Sequence, residues 1–535
     1  MILEYKIDYR SSSLVYEKIF LNEIKESNLN GNIDRNGFEL NLFVEADTPT
    51  QLENFATSFS RVLPHSIFFY GTKASIIEDM PKEKYILEDR EIATPPCPKC
   101  ISKIEQSYNI FTKCNACGYN IDGENRSYKD EIISIIKDIK DGKVIRLNTF
   151  YGEYSLAIPS NIFNNIDFDI LAYDLATLEK YATLEEYELN ALASFEKPAI
   201  TLKKKIKFIM DYEEIDRELI RFRLADDALL YLIMKELHSV GIDVLAITKD
   251  KIKVDREYIL VEPKDILEPI EVVASSKHIL IISGDRGVKA SKIEKINSRV
   301  DGFNAIKNEH NLSEKYKNIA GLNLSKDYSN IIIDGEKFGL IEYLSFDFNF
   351  NSIEDIFTQI DSSDEEGKRL ISNYKAKFPE FYKKVSQIAF NGSQFSIYQL
   401  WGLVAIILDF TDKPINGAKI LENNAMSFLG DRGPRIDYKL KNIDGKVFLN
   451  PLMVIRTAMS FKLAGVVDDL ALSYGVIESF LEFITNEIDE LKESMGVDAV
   501  AVYGSLLSNR RVFQKISDEL SINSNIYFNN ELPIL

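Results

Sequence analysis

Histidine is scarce in this chain. Four occur in 535 residues, His65, His238, His278 and His310. No two of them lie within a helical turn or a strand repeat of one another. That excludes His-x-x-x-His and His-Glu-x-x-His metal sites, and nothing local pairs a cysteine nucleophile with a histidine. Basic charge is in deficit as well. Lys and Arg number 64 against 83 Asp and Glu, a formal net charge of −19 with a pI near 4.9. A chain of that sign lacks the cationic face that a nucleic-acid backbone requires and the polybasic cluster of a membrane-surface anchor. Long apolar runs are missing too. The longest, Leu400 to Leu408, is interrupted by Gly402, whereas about 20 apolar residues are needed to span a bilayer. Glu4, Lys6, Asp8 and Arg10 fall in the first ten residues, so no secretory apolar core forms there. These absences predict a cytoplasmic protein with no nucleic-acid partner and no membrane insertion.

What is present is globular. Hydrophobic residues make up 45% and charged residues 27%, which excludes disorder as the class. At roughly 150 residues per domain, the length predicts about three or four domains. Cysteine is informative through its placement. All four, Cys97, Cys100, Cys114 and Cys117, fall within one short stretch. Two Cys-x-x-Cys turns separated by thirteen residues bring four thiolates to the corners of a tetrahedron, which suits Zn²⁺. Gly118 permits the tight path after the second pair. A structural zinc is preferred to disulfides, redox pairs or free thiols, because a cytoplasmic setting disfavours disulfides. Four cysteine ligands leave no open position, so the zinc is expected to be structural rather than catalytic.

Periodicity sketches the rest. Residues 2–9 alternate as a half-buried strand, and Ser11–Ser13 are expected to cap a helical stripe of Leu14, Val15, Ile19, Phe20 and Ile24. Asn30-Gly31 and Asn36-Gly37 read as turns, and Phe38–Val44 as a strand. Thr48-Pro49 caps a helix carrying Leu52, Phe55, Phe59 and Val62, and Ile67–Tyr70 closes a βαββαβ domain over residues 1–72. Residues 73–95 read as a linker and 96–124 as the zinc module. A Ser127-x-x-Asp130 capping box opens a helix with Ile132, Ile135, Ile136 and Ile139 on one face. Alternating strands and helices then predict an α/β domain over 125–275, including strands at 143–147, 198–202 and 244–248. The remainder, 276–535, is expected to contain strands at 278–282 and 330–333, the latter turned at Asp334-Gly335. A long helix over 466–495, a strand at 499–503, a helix at 509–520 and a strand at 526–528 complete it.

This order of pieces resembles the HypF family, carbamoyltransferases of [NiFe]-hydrogenase maturation, over almost the whole chain. It resembles in particular the divergent HydE-type proteins of hydrogenase operons. Asp141–Leu147 with Gly152 and Ser155–Ala157, Glu196–Lys203, and Val500–Arg510 look like stretches of that family. The resemblance implies a multidomain α+β and α/β chain. Its parts would be an acylphosphatase-like domain, the zinc module, a YrdC-like domain and a C-terminal ASKHA-type carbamoyl-transfer domain. It also implies one zinc rather than the family's two, since the second set of cysteine pairs is missing.

The departures from the family all fall on its chemistry. Asp8–Ser13 stands where the family has a glycine-rich phosphate loop, and the catalytic Asn position falls near Arg35. Asn148 and Ser155 stand where the resemblance expects Lys and His, and Leu224–Leu230 lacks the family's prolines and His. Asp226 and Asp227 are expected to repel carbamoyl phosphate and ATP. Gln399–Val404 lacks the family's metal-binding His pair, and the chain ends at Leu532-Pro533-Ile534-Leu535 before its late Asp. Gly504-Ser505 reads as an ordinary turn between a strand and a helix rather than a phosphate contact. Lys203–Lys207 reads as a solvated basic run and Asp361–Glu366 as an exposed acidic loop. Gly430–Pro434 is a turn whose neighbours Arg432 and Arg435 could meet an anion.

Two readings follow. The first is an accessory or scaffold factor of [NiFe]-hydrogenase maturation, HypF-like with degenerate sites. Its partners would be hydrogenase subunits or other maturation proteins. The alternative is an active carbamoyltransferase that uses carbamoyl phosphate and ATP to supply the precursor of the hydrogenase cyanide ligand. On the first reading the only functional ligands are Cys97, Cys100, Cys114 and Cys117, and no residue is assigned a catalytic role.

Overall fold

A computed structural model describes residues 1–11, 13–81, 94–121, 123–262, 268–284, 301–390, 394–443, 446–465 and 467–529. Packing divides the chain into two compact units, Met1–Val272 with Ser283–Ala290, and Val273–Ile282 with Ser291–Leu535.

The first unit opens with a βαββαβ body. Its four-stranded antiparallel sheet runs in the order Asn30–Asn36, Glu39–Glu45, Ile2–Tyr9, Phe69–Ile77. The helices Val15–Ser27 and Pro49–Val62 cover one face, and Phe20 packs edge-on against Phe55 and Phe59. Thr48 caps the second helix as expected. Its hydroxyl accepts from Gln51 N, and Gln51 Oε1 accepts from Thr48 N at 3.1 Å. Three local expectations need correction. Asn30-Gly31 opens a strand rather than a turn; the chain reverses at Asn28, which takes the left-handed conformation. Gly31 is required by space, because a Cβ there would sit 2.7 Å from the Ile24 side chain. The first helix has no side-chain cap at Leu14, although Ser13 Oγ accepts from Val15 N at 3.3 Å. The last strand runs to Ile77, into the stretch read as a linker; residues 82–93 lie outside the described ones.

An eight-stranded mixed sheet follows. Its order is Arg256–Tyr258, Ile145–Thr149, Gly152–Ala157, Val244–Thr248, Asp169–Ala172, Leu219–Leu224, Ile200–Lys204, Ala182–Thr183. Ile132, Ile135, Ile136 and Ile139 are buried along the helix Lys129–Lys140, as the periodicity predicts. The capping box at Ser127 does not form. Tyr128 occupies the cap position, and Ser127 Oγ only meets Lys129 N at 3.4 Å. A buried carboxylate ties this body to the first one. Glu196 accepts from Ser66 Oγ at 2.5 Å and from Ile67 N at 3.1 Å, and Phe195 N donates to His65 O at 2.8 Å.

The second unit is built on a seven-stranded sheet in the order Leu440–Ile443, Lys446–Leu449, Gly339–Ser345, Ser329–Gly335, Asn318–Leu324, Ala499–Tyr503, Asn525–Phe528. Asp334 and Gly335 lie within the strand Ser329–Gly335; the turn comes after them. The long helix spans Asp469–Met495. Asp468 caps it by accepting from Leu470 N and Ala471 N, and Gly496 ends it at φ 64°. Val466 lies outside the described residues. Trp401 sits in the core of this unit, its Nε1 donating to Tyr438 OH at 3.3 Å.

Candidate functional site

The four cysteines converge. Cys97 precedes the helix Pro98–Ser107, whose first turn carries Cys100, and Pro98 occupies the position where a backbone N–H has no intrahelical acceptor. Gly118 adopts φ 76° and its N–H returns to Cys114 O at 3.0 Å, so the second pair closes on itself. All four side chains are buried, and their sulfurs lie within 4.8 Å of one another. Neighbouring sulfurs are 3.5, 3.6 and 3.9 Å apart. A disulfide would need about 2.05 Å. Four thiolates about 2.3 Å from a tetrahedral ion would stand about 3.8 Å apart, so the donor set fits a small thiophilic cation. Phe111 and Tyr119, from the same module, meet the Phe150 ring at 5.7 and 6.3 Å. Tyr108 OH donates to Glu236 at 2.6 Å and Tyr231 OH to Glu105 at 2.7 Å. The module is thereby packed onto the eight-stranded body.

The loop after the first strand is closed by its own chain. Arg35 donates to the backbone oxygens of Tyr9, Ser11 and Ser13 and pairs with the buried carboxylate of Glu17. Three carbonyls converge on a guanidinium, whereas a phosphate cradle needs backbone N–H donors. Arg10 turns away to Asp8 at 3.0 Å and stacks on Tyr70 at 4.4 Å. Ser12 lies outside the described residues.

In the eight-stranded body a cleft of about 250 Å³ is lined in part by Tyr154, Asp169, Arg221, Thr248, Lys249 and Glu271. Its cations are engaged by neighbouring acids. Arg221 pairs with Asp169 at 2.7 Å and with Asp167 at 2.6 Å, and Lys249 with Glu268 at 2.8 Å. Burial pushes the Glu271 carboxyl up, against the opposing pull of Arg221. Asp226 and Asp227 do not line this cleft, and both are buried. Asp227 caps the helix Ala228–Ser239, accepting from Leu229 N at 2.7 Å and Leu230 N at 3.2 Å, and also takes Phe150 N at 3.0 Å. Asp226 pairs with the fully buried Arg223 at 3.1 Å. Asn148, Ser155 and Leu230 are likewise outside the lining, and Ser155 and Leu230 are buried.

In the second unit, Gln399 stands where the resemblance expects metal-binding histidines. It completes a capping box with Ser396 at the start of the helix Ile397–Ile407, and Leu400, Trp401, Leu403 and Val404 are core. Gly504 has φ 117°, and a Cβ there would lie 2.4 Å from the carbonyl carbon of Leu324. Its bareness therefore admits the neighbouring backbone. Beside this turn lies a polar cluster that no local pattern announces. Glu422, nearly buried, accepts from Lys326 Nζ at 3.2 Å, Tyr398 OH at 2.9 Å and Asn509 Nδ2 at 3.3 Å. Leu532-Pro533 lies outside the described residues.

Sheets, helices and cysteine module together define a protein of the HypF fold. The crystal structure of HypF from T. kodakarensis superposes with a TM-score of 0.66 at 13% identity, covering all of this chain and 96% of that one. Full-length HypF in its phosphate- and nucleotide-bound form superposes at 0.63 and 12% identity with the same coverage. In sequence the chain is similar to HydE of Wolinella succinogenes, 25% identical over 519 residues and covering 92% of each chain. No family model matches it. Among the described residues no helix is long and apolar enough to cross a membrane.

Proposed function

We propose that this chain is an assembly factor of [NiFe]-hydrogenase maturation that keeps the HypF body without carbamoyl-transfer chemistry. The observation that carries this reading is Arg35, whose guanidinium is held by three loop carbonyls and Glu17 at the place where the resemblance expects a phosphate. An anion there would have to displace a buried ion pair and then face carbonyl oxygens. On this reading the protein acts in the cytoplasm, and its partners are hydrogenase subunits or other maturation proteins. Cys97, Cys100, Cys114 and Cys117 hold one zinc ion, which when bound fixes the path of the module and supplies no reactive position. Elemental analysis of protein purified without chelator should return one zinc per chain; none, or two, would refute the assignment. Deleting the gene should lower [NiFe]-hydrogenase activity and leave unprocessed large subunit. A deletion strain with normal maturation would sink the role.

A further inference from the structure

The second unit contains a groove of about 650 Å³, apart from the sites described above, between the helices Glu365–Lys377 and Pro451–Ala464 and the segment at Arg435. Its lining mixes polar side chains with the half-buried apolar ones of Leu370, Met453 and Phe461. Three arginines also line it, Arg369, Arg435 and Arg456. Arg456 is committed to structure. It grips Asp364 with two bonds of 2.7 and 3.0 Å, and Asp364 in turn caps the first of the two helices. The acids of the lining have cations of their own, Glu366 with Arg456 at 3.8 Å and Asp437 with Lys439 at 3.9 Å. Arg369 and Arg435 are exposed and have no ion pair among the described residues. In a chain of net charge −19, two uncommitted guanidiniums beside apolar side chains in one groove run against the composition. Guanidinium forks recognise carboxylates bidentately, and arginine beside apolar side chains is the composition of interface centres.

We propose that this groove docks an acidic peptide segment of a partner protein. An apolar side chain of the peptide sits on Leu370, Met453 and Phe461, and flanking carboxylates meet Arg369 and Arg435. A small free anion would leave Leu370, Met453 and Phe461 unused, and a basic segment would face two unpaired cations. The proposal rests on the assembly-factor reading and gives the partner surface its chemistry. Charges farther off than about 8 Å are screened at physiological ionic strength. The groove therefore attracts acid locally although the chain as a whole repels it.

The test is to pan a displayed library of random twelve-residue peptides on the full-length chain, with counter-selection on the variant carrying Arg369→Glu and Arg435→Glu. Both side chains are exposed, and a second variant with alanine at both positions controls for charge reversal. Recovered peptides should pair Asp or Glu with a large apolar residue. By fluorescence anisotropy, a synthetic representative should bind the unmodified chain at least tenfold more tightly than either variant. Its Asn/Gln counterpart should lose a similar factor. Pools without acidic bias, equal binding to the variants, or no recovered peptide would overturn the proposal. So would self-association that the same substitutions abolish, since a second copy would then cover the groove. The outcomes separate from the functional reading. Acidic peptides that bind while a deletion strain matures hydrogenase normally would refute the role and leave the groove's chemistry standing.

Discussion

At the scale of single residues, Arg35 and Glu487 carry the sharpest consequences. Removing one partner of a buried ion pair costs roughly 3–5 kcal/mol, because the other charge stays behind. Arg35→Ala should therefore lower the stability of the first unit by about that amount in denaturant titration. Arg35→Met combined with Glu17→Gln should cost less than Arg35→Ala alone; strict additivity of the separate changes would refute the pairing. Glu487, in the long helix of the second unit, has its carboxyl pushed up to about 7 from the ordinary 4.5, first by burial and then by the neighbouring charge of Glu490. A carboxyl whose pKa rises on folding binds its proton more firmly in the folded chain. Its burial therefore costs nothing below about pH 4.5, and stability is lost as the pH climbs toward about 7. Glu487→Gln should flatten that decline and raise the thermal midpoint at pH 8 by about 2–4 °C for each kcal/mol recovered. A variant that tracks the parent across this window would show that the carboxyl is not strained. The cysteine cluster was legible in the sequence because its ligands sit close along the chain, and Gly118 marks the second turn. Arg35 was not, because the loop carbonyls it meets lie 22 to 26 residues away and Glu17 lies 18 away. The engagement of Asp226 and Asp227 was not legible either, because the helix end and the Arg223 that take up their charge are set by the fold.

At the scale of elements, local chemistry was legible where a single motif decides it. Thr48-Pro49 specifies a cap and a first helical residue together, and both are present. Ser127 carries the same type of signal, yet the helix starts later, with Tyr128 at its cap position and its ring packed on Phe111. Tertiary packing of an aromatic outweighs a cap worth about 1 kcal/mol. The cysteine module shows what such packing implies for metal loss. Its Phe111 and Tyr119 close over Phe150 of the neighbouring body. Cys114→Ser should release the metal and also open that aromatic seam. Limited proteolysis is expected to cut the variant between residues 101 and 121 while the second unit stays intact. A variant that loses metal and remains as protease-resistant as the parent would show that the module folds without it.

At the scale of the whole molecule, the order of the pieces was legible because each keeps its own apolar pattern. How Arg35, Lys326 and Glu422 are engaged was not, since their partners come from distant segments. If those sites do no chemistry, carbamoyl-phosphate-dependent exchange between ATP and pyrophosphate should be absent from purified protein. Asn148→Ala should then complement a deletion strain fully. Robust exchange that a substitution in the eight-stranded body abolishes would favour the active carbamoyltransferase instead. The Glu196 anchor bears on how such a protein can evolve. Its carboxyl takes a hydroxyl and an amide of the first body, in surroundings that push its pKa up by burial. A lineage that shed the first body would leave Glu196 and the Phe195 amide to take water in place of Ser66, Ile67 and His65. The seam is thus a reason to keep the first body that does not depend on what its loop binds.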